Sequence, residues 1–435
     1  TAPYFDISEI AWNRAGTQLA YTCKKLTGKA YALSTDSDVY LYDLASGQTR
    51  NLTEGMPGYD KYPVFSPDDS MLAFTSMERA GNESDKSRLF VETLATGEKR
   101  YLTRNFDYNA GNVRWDGNGT LYFIAPVRGT YQVCRVDLAD DSVRVLTAGA
   151  HDVNAITLNG GELVGEVTSL SAPTELFRID PADGTMTRIT NTNPEIYDHI
   201  RMGEVRERWI RTTDGRQMLT WVVLPPDFDS TERYPALLYC QGGPQSVVSQ
   251  FWSYRWNLQL MAAQGYVVVA PNRRGVPSFG QQWLDQISGD YSGQNIRDYL
   301  SAIDDVAAEP WVDGGRLGCV GASYGGYSVF FLAGHHQKRF KAFIAHCGMF
   351  NLESMYGATE ELWFPNNDLG GPYWSDDTTA QRSYANSPHK FVKNWDTPIL
   401  IFSGQGDFRI PYTESLQAFT AARLMGVPSR LVSFE

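Results

Sequence analysis

Two patterning rules divide this chain. Up to about residue 195, apolar and polar residues alternate in short bursts such as IAWNRAGTQLAY, YPVFSPDDSMLAF and VRWDGNGTLYFI, broken by Gly, Asp, Asn and Ser. A period of two turns one face of a strand inward, and the breaks read as tight turns, so hairpins are predicted. From about residue 200 compact apolar runs take over: YPALLYC, GYVVVAP, GRLGCVG, FKAFIAH, PILIFSG and SRLVSFE. Segments with helical spacing, NIRDYLSAIDDVAA and YSVFFLAGHHQ, separate several of them. Buried strands alternating with helices predict a mostly parallel sheet with helices on both faces. The stretch RERWIRTTDGRQMLTWVVLPP predicts a hairpin leading into it.

The first pattern also repeats. VYLYDLASGQTRNLT, LFVETLATGEKRYLT, VCRVDLADDSVRVLT and LFRIDPADGTMTRIT are four versions of one phrase, ending at Thr53, Thr103, Thr147 and Thr190 with spacings of 50, 44 and 43. With the hairpins between them, each period holds four short strands, the signature of a β-propeller blade. The predicted organisation is four blades over residues 1–195, then an α/β domain over residues 200–435. The opening TAPYFDISEI is no secretory leader and continues the blade pattern, so further blades are expected ahead of it.

Charge narrows the partners. A formal net charge of −12 sets nucleic acid aside, because a phosphate backbone needs clustered positive charge. No apolar run approaches membrane-spanning length, so no membrane partner is expected. Cys23, Cys134, Cys240, Cys319 and Cys347 are odd in number and widely spaced. They outline neither a metal cluster nor a disulfide framework, and read as buried small hydrophobes.

Candidate chemistry centres on GASYGGYSVF, residues 321–330, where Ser323 stands between glycines two residues away on either side. Gly-x-Ser-x-Gly alone is a weak pattern. Here it follows the apolar run RLGCV and precedes a helix-like segment, and strand, sharp turn, helix is the setting of a nucleophilic serine. Such a turn lifts the hydroxyl above the sheet and leaves the Tyr324 N–H at the positive end of the helix, where an oxyanion can be held. A serine needs a base, and the base needs a carboxylate to orient it. Asp407, in the loop of PILIFSGQGDFRIPY and 84 residues after Ser323, is the expected acid. His151, His199, His335, His336, His346 and His389 all precede it, and none follows in the last 28 residues. His335 and His336 are predicted late in the helix after Ser323, His346 at a strand end and His389 in SPHKF; all are read as structural. The catalytic histidine is expected beyond Glu435, in the loop after the final strand SRLVSFE.

The blades, the RRGVPSFG loop, GASYGGY, ELWFPNNDLGG, SPHKFV and GQGDFRIP together resemble the prolyl oligopeptidase family of serine peptidases, most closely its acylaminoacyl-peptidase and dipeptidyl-peptidase 5 branch. The resemblance implies an all-β propeller preceding an α/β-hydrolase domain, with a cavity between them that admits peptides. It also implies peptide substrates and no metal or cofactor. Carried onto this sequence, Ser323 is the nucleophile, Asp407 the acid and the Tyr324 N–H one oxyanion donor. The second donor comes from the Gln241 side chain or the Gly242 backbone, in YCQGGPQ. Arg409 matches a family arginine that binds a substrate carbonyl next to the scissile residue; a surface ion pair is its other reading. Trp363 and Phe364 either line an apolar pocket for the residue before the cut or pack in the core. Glu360 and Glu361 are candidate partners for a free amine.

The expected activity is release of short N-terminal pieces, dipeptides foremost, with an apolar residue before the cut. Acylaminoacyl-peptidase or oligopeptidase action, an esterase, and a binding protein with a decayed site are the alternatives. The periplasm is the expected compartment, with the cytoplasm as alternative, and a homodimer is among the assemblies left open.

Overall fold

The structure, a computed structural model, describes residues 7–435; the first six residues of the opening read as mid-blade lie outside the described residues. The chain divides into two units. One runs to Pro194 and takes in Ser249–Trp252 and Pro277–Gln282; the other holds Glu195–Val248, Ser253–Val276 and Trp283–Glu435.

Among the described residues the first unit contains four antiparallel sheets of four strands, over residues 8–51, 60–101, 111–145 and 152–188. Each strand pairs with the next in sequence, and the first strand of each sheet lies against the first strand of the following one. The threonine that closes each repeat has one repeated task. The N–H groups of Val39, Leu89, Val133 and Leu176 donate to Thr53, Thr103, Thr147 and Thr190 Oγ1 at 3.0, 3.0, 2.9 and 2.9 Å. Each bond ties a third strand to the end of the fourth, where the backbone ladder runs out.

Burial follows the period of two on both faces. Along Thr120–Val127, Leu121, Phe123 and Ala125 enter the core shared with the second sheet, while Tyr122 and Ile124 enter that shared with the fourth. A strand covered on both sides needs no polar face, which is why TLYFIA lacks the expected alternation. The two short segments from later in the chain are hydrogen-bonded within this unit. Ser249 Oγ donates to Asp152 Oδ2 at 2.6 Å, and Ser278 accepts from the backbone of Arg128 and Gly129 at 3.0 and 2.6 Å.

The second unit is built on one eight-stranded sheet. Its strands are β1 (Val205–Arg211), β2 (Gln217–Val223), β3 (Tyr234–Cys240), β4 (Val267–Pro271), β5 (Val312–Ala322), β6 (Phe340–His346), β7 (Ile399–Gly404) and β8 (Ser429–Phe434), in spatial order β1-β2-β4-β3-β5-β6-β7-β8. β2 is antiparallel to both neighbours; the pairs from β4 to β8 are parallel. Helices α1 (Leu258–Ala263), α2 (Gln294–Ala307), α3 (Tyr324–Ala333) and α4 (Tyr412–Leu424) pack on this sheet. Every residue of β4 and of α3 is buried, so neither shows a polar face. α3 ends at Ala333, capped by Gly334, so His335 and His336 lie past its end rather than inside it. A glycine cannot hold the last turn as well as alanine does, and the helix stops there. All five cysteines are buried, and none forms a disulfide among the described residues.

Asp60 opens the second sheet of the first unit, is 0% exposed, and both its carboxylate oxygens lack partners among the described residues. Thr53 and Ser76 stand beside it, but their hydroxyls donate to Asp38 Oδ1 and Met77 O. Burial pushes its carboxyl up to about 8, with a small addition from Asp38, against the opposing pull of the Ser76 and Thr53 hydroxyls and of Arg88. A carboxyl raised on folding stabilises the folded state fully below its unfolded value near 4 and loses that contribution as pH climbs through 8. Asp60→Asn removes the dependence. The variant's melting temperature is expected to match the parent's near pH 4 and to exceed it increasingly up to about pH 8, measured by scanning calorimetry.

Candidate active site

β5 turns into α3 through one residue, Ser323, with φ 57° and ψ −121°. A non-glycine residue in such a conformation costs about 1–3 kcal/mol, held in place by its surroundings. Here the holding bonds are visible. The Ser323 N–H donates to His346 O at the end of β6 (2.9 Å), and Ser323 O accepts from Tyr327 N (2.9 Å), closing the first turn of α3. Glycines bring that helix close enough. A Cβ on Gly325 would lie 2.0 Å from Cys240 O at the end of β3, and one on Gly326 would lie 2.6 Å from Gly348 Cα. Ser323 is half-buried at this corner, while Tyr324 is fully buried.

The loop after β3 comes up beside the corner. A methyl group on Gly242 would stand 3.6 Å from Ser323 Cβ. The N–H groups of Gly242 and Tyr324 take no partner among the described residues. The Gln241 amide is engaged elsewhere: Nε2 donates to Ser246 Oγ (3.1 Å) and Oε1 accepts from Tyr239 OH (2.8 Å). The Tyr324 ring is fixed by a bond from Asn295 Nδ2 to its hydroxyl, which itself donates to Tyr291 O at 3.0 Å.

Asp407 lies in the loop after β7. Its Oδ1 accepts from the backbone of Arg409 and Ile410 at 3.1 and 2.9 Å, which fixes the carboxylate plane. Its charge acts on His346 and on Cys347, the residue after β6, and the Cys347 thiol in turn faces the Ser323 N–H. Ser323 and Asp407 are thus both neighbours of the His346–Cys347 end of β6. The His346 ring is half-buried, with Arg255 Nη2 at 3.3 Å from its Nδ1. Burial, then Arg255, lower its pKa, and Asp407 opposes them. None of the six histidines bonds the Ser323 hydroxyl or the Asp407 carboxylate among the described residues.

Arg409, exposed, forms an ion pair with the half-buried Glu361. Burial pushes the Glu361 carboxyl up, and Arg409 pulls it back. Glu360 is exposed, with its N–H donating to Phe408 O in the Asp407 loop at 2.9 Å. Trp363 and Phe364 are half-buried and open the short helix Trp363–Asp368.

Three neighbours of the corner escape the sequence reading: Arg255, Arg273 and Cys347. Cys347 has φ 40°, a left-handed conformation that no residue pattern signals. Arg255 lies in FWSYRWN, without periodicity. For Arg273 a signal exists. It directly follows Asn272 after the continuous apolar run GYVVVAP, and such a run predicts that the next residues of the chain are still inside the protein.

Residues 252–435 match the sequence profile of the Prolyl oligopeptidase family. Dipeptidyl-peptidase 5 of Porphyromonas gingivalis is 52% identical over 435 residues, covering 99% of this chain and 64% of that protein. Dipeptidyl-peptidase 5 of Porphyromonas endodontalis is 50% identical over 436 residues, covering 99% and 63%. Among solved structures, an acylaminoacyl peptidase in complex with Z-Gly-Gly-Phe-chloromethyl ketone shares the fold, with a TM-score of 0.83 at 20% identity over 99% of this chain and 76% of that one. The acylaminoacyl peptidase of Pyrococcus horikoshii gives 0.79 at 18% identity over 99% and 77%. Over residues 252–435 the chain is thus similar to the prolyl oligopeptidase family. It spans 64% of the length of the first of these relatives.

The close approach of α3 can be tested directly. Gly326→Ala is expected to destabilise the protein by about 1–3 kcal/mol, since backbone of β6 and Gly348 stands where the methyl must go. Urea unfolding measures it, and an unchanged midpoint contradicts the described contact.

Proposed function

We propose that this protein is a serine peptidase that releases dipeptides from the free amino ends of peptides through an acyl-enzyme at Ser323. One observation carries the reading: a half-buried serine on a strained strand-to-helix corner, flanked by the unspent N–H groups of Gly242 and Tyr324. A serine hydroxyl attacks a carbonyl, and two N–H groups beside it take the charge that develops on the carbonyl oxygen. Between the two donors left open by the sequence, the bonds already made by the Gln241 amide favour the Gly242 backbone.

Asp407 is the acid of the triad. Its Oδ1 is spent on the loop backbone, which leaves Oδ2 to orient an imidazole. The base accepts the Ser323 proton on attack and returns it to the leaving amine; water then repeats the cycle on the acyl-enzyme. The 52% identity to a dipeptidyl-peptidase 5 supports peptides as substrates and a dipeptide as product.

The Arg409–Glu361 pair gives that product length a physical basis. A free N-terminal residue carries its ammonium and its first carbonyl side by side, and a paired carboxylate and guanidinium offer one charge to each. The next residue then falls at the serine. Trp363 and Phe364 line an apolar pocket for it. The four sheets of the first unit are blades of a propeller, a reading supported by their four-strand repeat and by first strands that follow one another from sheet to sheet.

In the full-length protein, Ser323→Ala is expected to abolish labelling by a fluorophosphonate probe together with dipeptide release, read by gel fluorescence and mass spectrometry of products. Equal labelling of the variant and the parent rules out Ser323 as nucleophile. Glu361→Gln is expected to raise KM for peptides with a free amino end by roughly tenfold or more, the loss of one charged hydrogen bond, while N-acetylated peptides change little. A variant that weakens both substrates equally contradicts the amine assignment.

A further inference from the structure

Arg273 and Arg274 follow β4 side by side, and both are buried, at 0% and 1% exposure. Their surroundings differ. Arg274 is neutralised by Asp214 at 2.6 Å and Asp298 at 3.3 Å. Arg273 pairs with no carboxylate among the described residues. Its Nη1 donates to Pro244 O and Arg274 O, both at 2.9 Å, and its Nε to Tyr299 OH at 3.2 Å. Nη2 reaches Gln241 O at 3.5 Å, and Cζ sits 4.7 Å from the centre of the Tyr324 ring. Tyr299 OH adds a bond to Gln241 O at 3.4 Å.

A cation wholly out of water and without an anion is expensive to fold around. Its contacts show what it acts on. Gln241 and Pro244 bracket the glycine pair of the loop after β3, and Tyr324 is the residue after Ser323. One guanidinium thus grips the residues around both unspent N–H groups. From the other side, Gln245 Nε2 and Tyr291 OH both donate to Asp368 Oδ2, at 3.0 and 2.7 Å, and Tyr291 O receives the Tyr324 hydroxyl.

We propose that Arg273 is the positioning residue of the oxyanion hole: it holds the Gly242 and Tyr324 N–H groups in mutual register and leaves its unneutralised charge behind them, favouring the anionic tetrahedral state over the neutral ground state. The assignment rests on Ser323 being the nucleophile. Gly242 and Tyr324 touch the substrate; Arg273 acts through them.

The test uses full-length protein, with active sites counted by fluorophosphonate so that misfolded molecules drop out. Arg273→Met is expected to lower kcat per labelled site on a dipeptide amide about 100-fold, the effect of losing one oxyanion donor, with KM within about threefold. A peptide boronic acid, whose adduct is tetrahedral and anionic, should lose affinity by the same factor while the dipeptide product binds as before. Arg273→Lys should recover part of the loss, and Tyr299→Phe should lose less in the same direction. A kcat for Arg273→Met within threefold of the parent overturns the proposal, as does an equal fall in boronate and product affinity. If Arg273→Met gives no labelled protein, the lysine and Tyr299→Phe variants are read by the same ratios, and unchanged values in both overturn it. Failure of the parent itself to label at Ser323 removes the peptidase reading and this proposal together; a parent that labels and turns over, with an indifferent Arg273→Met, removes this proposal alone.

Discussion

The second unit is organised by one close approach: α3 rests on the ends of β3 and β6 with no side chain between. Cys240 O lies where a Cβ of Gly325 would be, and Gly348 Cα where one of Gly326 would be. With the helix seated that low, the chain leaving β5 has a single residue in which to reverse, and Ser323 takes the left-handed conformation because nothing else fits. The same seating buries the Tyr324 ring, brings Gly242 against Ser323, and puts the His346–Cys347 end of β6 beside the Asp407 loop. The Ser323 conformation, the burial of Tyr324 and the approach of Gly242 go with one contact. Move the helix outward by the width of a methyl and each of them loosens.

The first unit reaches its stability differently, through a small device used four times. A threonine hydroxyl completes each sheet's outer pairing, and successive sheets share apolar cores. Repetition does not make the copies equivalent. Asp60 and Asp152 each open the first strand of a sheet, yet Asp152 accepts bonds from Tyr131 N, Ser249 Oγ and Gln250 N. Those donors favour its charged form and hold the burial-driven rise to about 6, whereas Asp60, beside hydroxyls engaged with Asp38 and Met77, goes to about 8. Two of the three donors come from Ser249–Trp252, a segment far away in sequence.

That contrast marks how far a sequence alone can reach. Alternation with Gly and Asp breaks shows four-stranded antiparallel groups, because strand period and turn chemistry are local. The resemblance to the prolyl oligopeptidase family is legible from GASYGGY, GQGDFRIP and their companions. The strand, corner and helix around Ser323 follow from glycines whose only reason is close approach. Features that depend on partners from elsewhere are silent. The engagement of the Gln241 amide with Ser246 and Tyr239, the Arg409–Glu361 pair, and the φ of Cys347 are set by tertiary contacts. The placement of His335 and His336 failed for a smaller reason: apolar periodicity ran on past Gly334, and the glycine ended the helix first.

The two adjacent arginines after β4 show the same divide in energetic terms. Sequence gives them the same neighbours and the same charge. Arg274 points to Asp214 and Asp298 and behaves as a structural ion pair, whose burial costs are offset by its partners. Arg273 is surrounded by carbonyl oxygens and tyrosine hydroxyls, which satisfy its N–H groups without neutralising it. Fold stability alone would favour an apolar or paired residue at this place. A positive potential left standing behind a strained serine is instead what a reaction passing through an oxyanion can use, because that potential lowers the energy of the charged state and not of the neutral one. The two destabilising features of the second unit, the Ser323 conformation and the Arg273 charge, both touch Tyr324 or adjoin it. The surrounding fully buried β4 and α3 supply the rigidity that lets both persist.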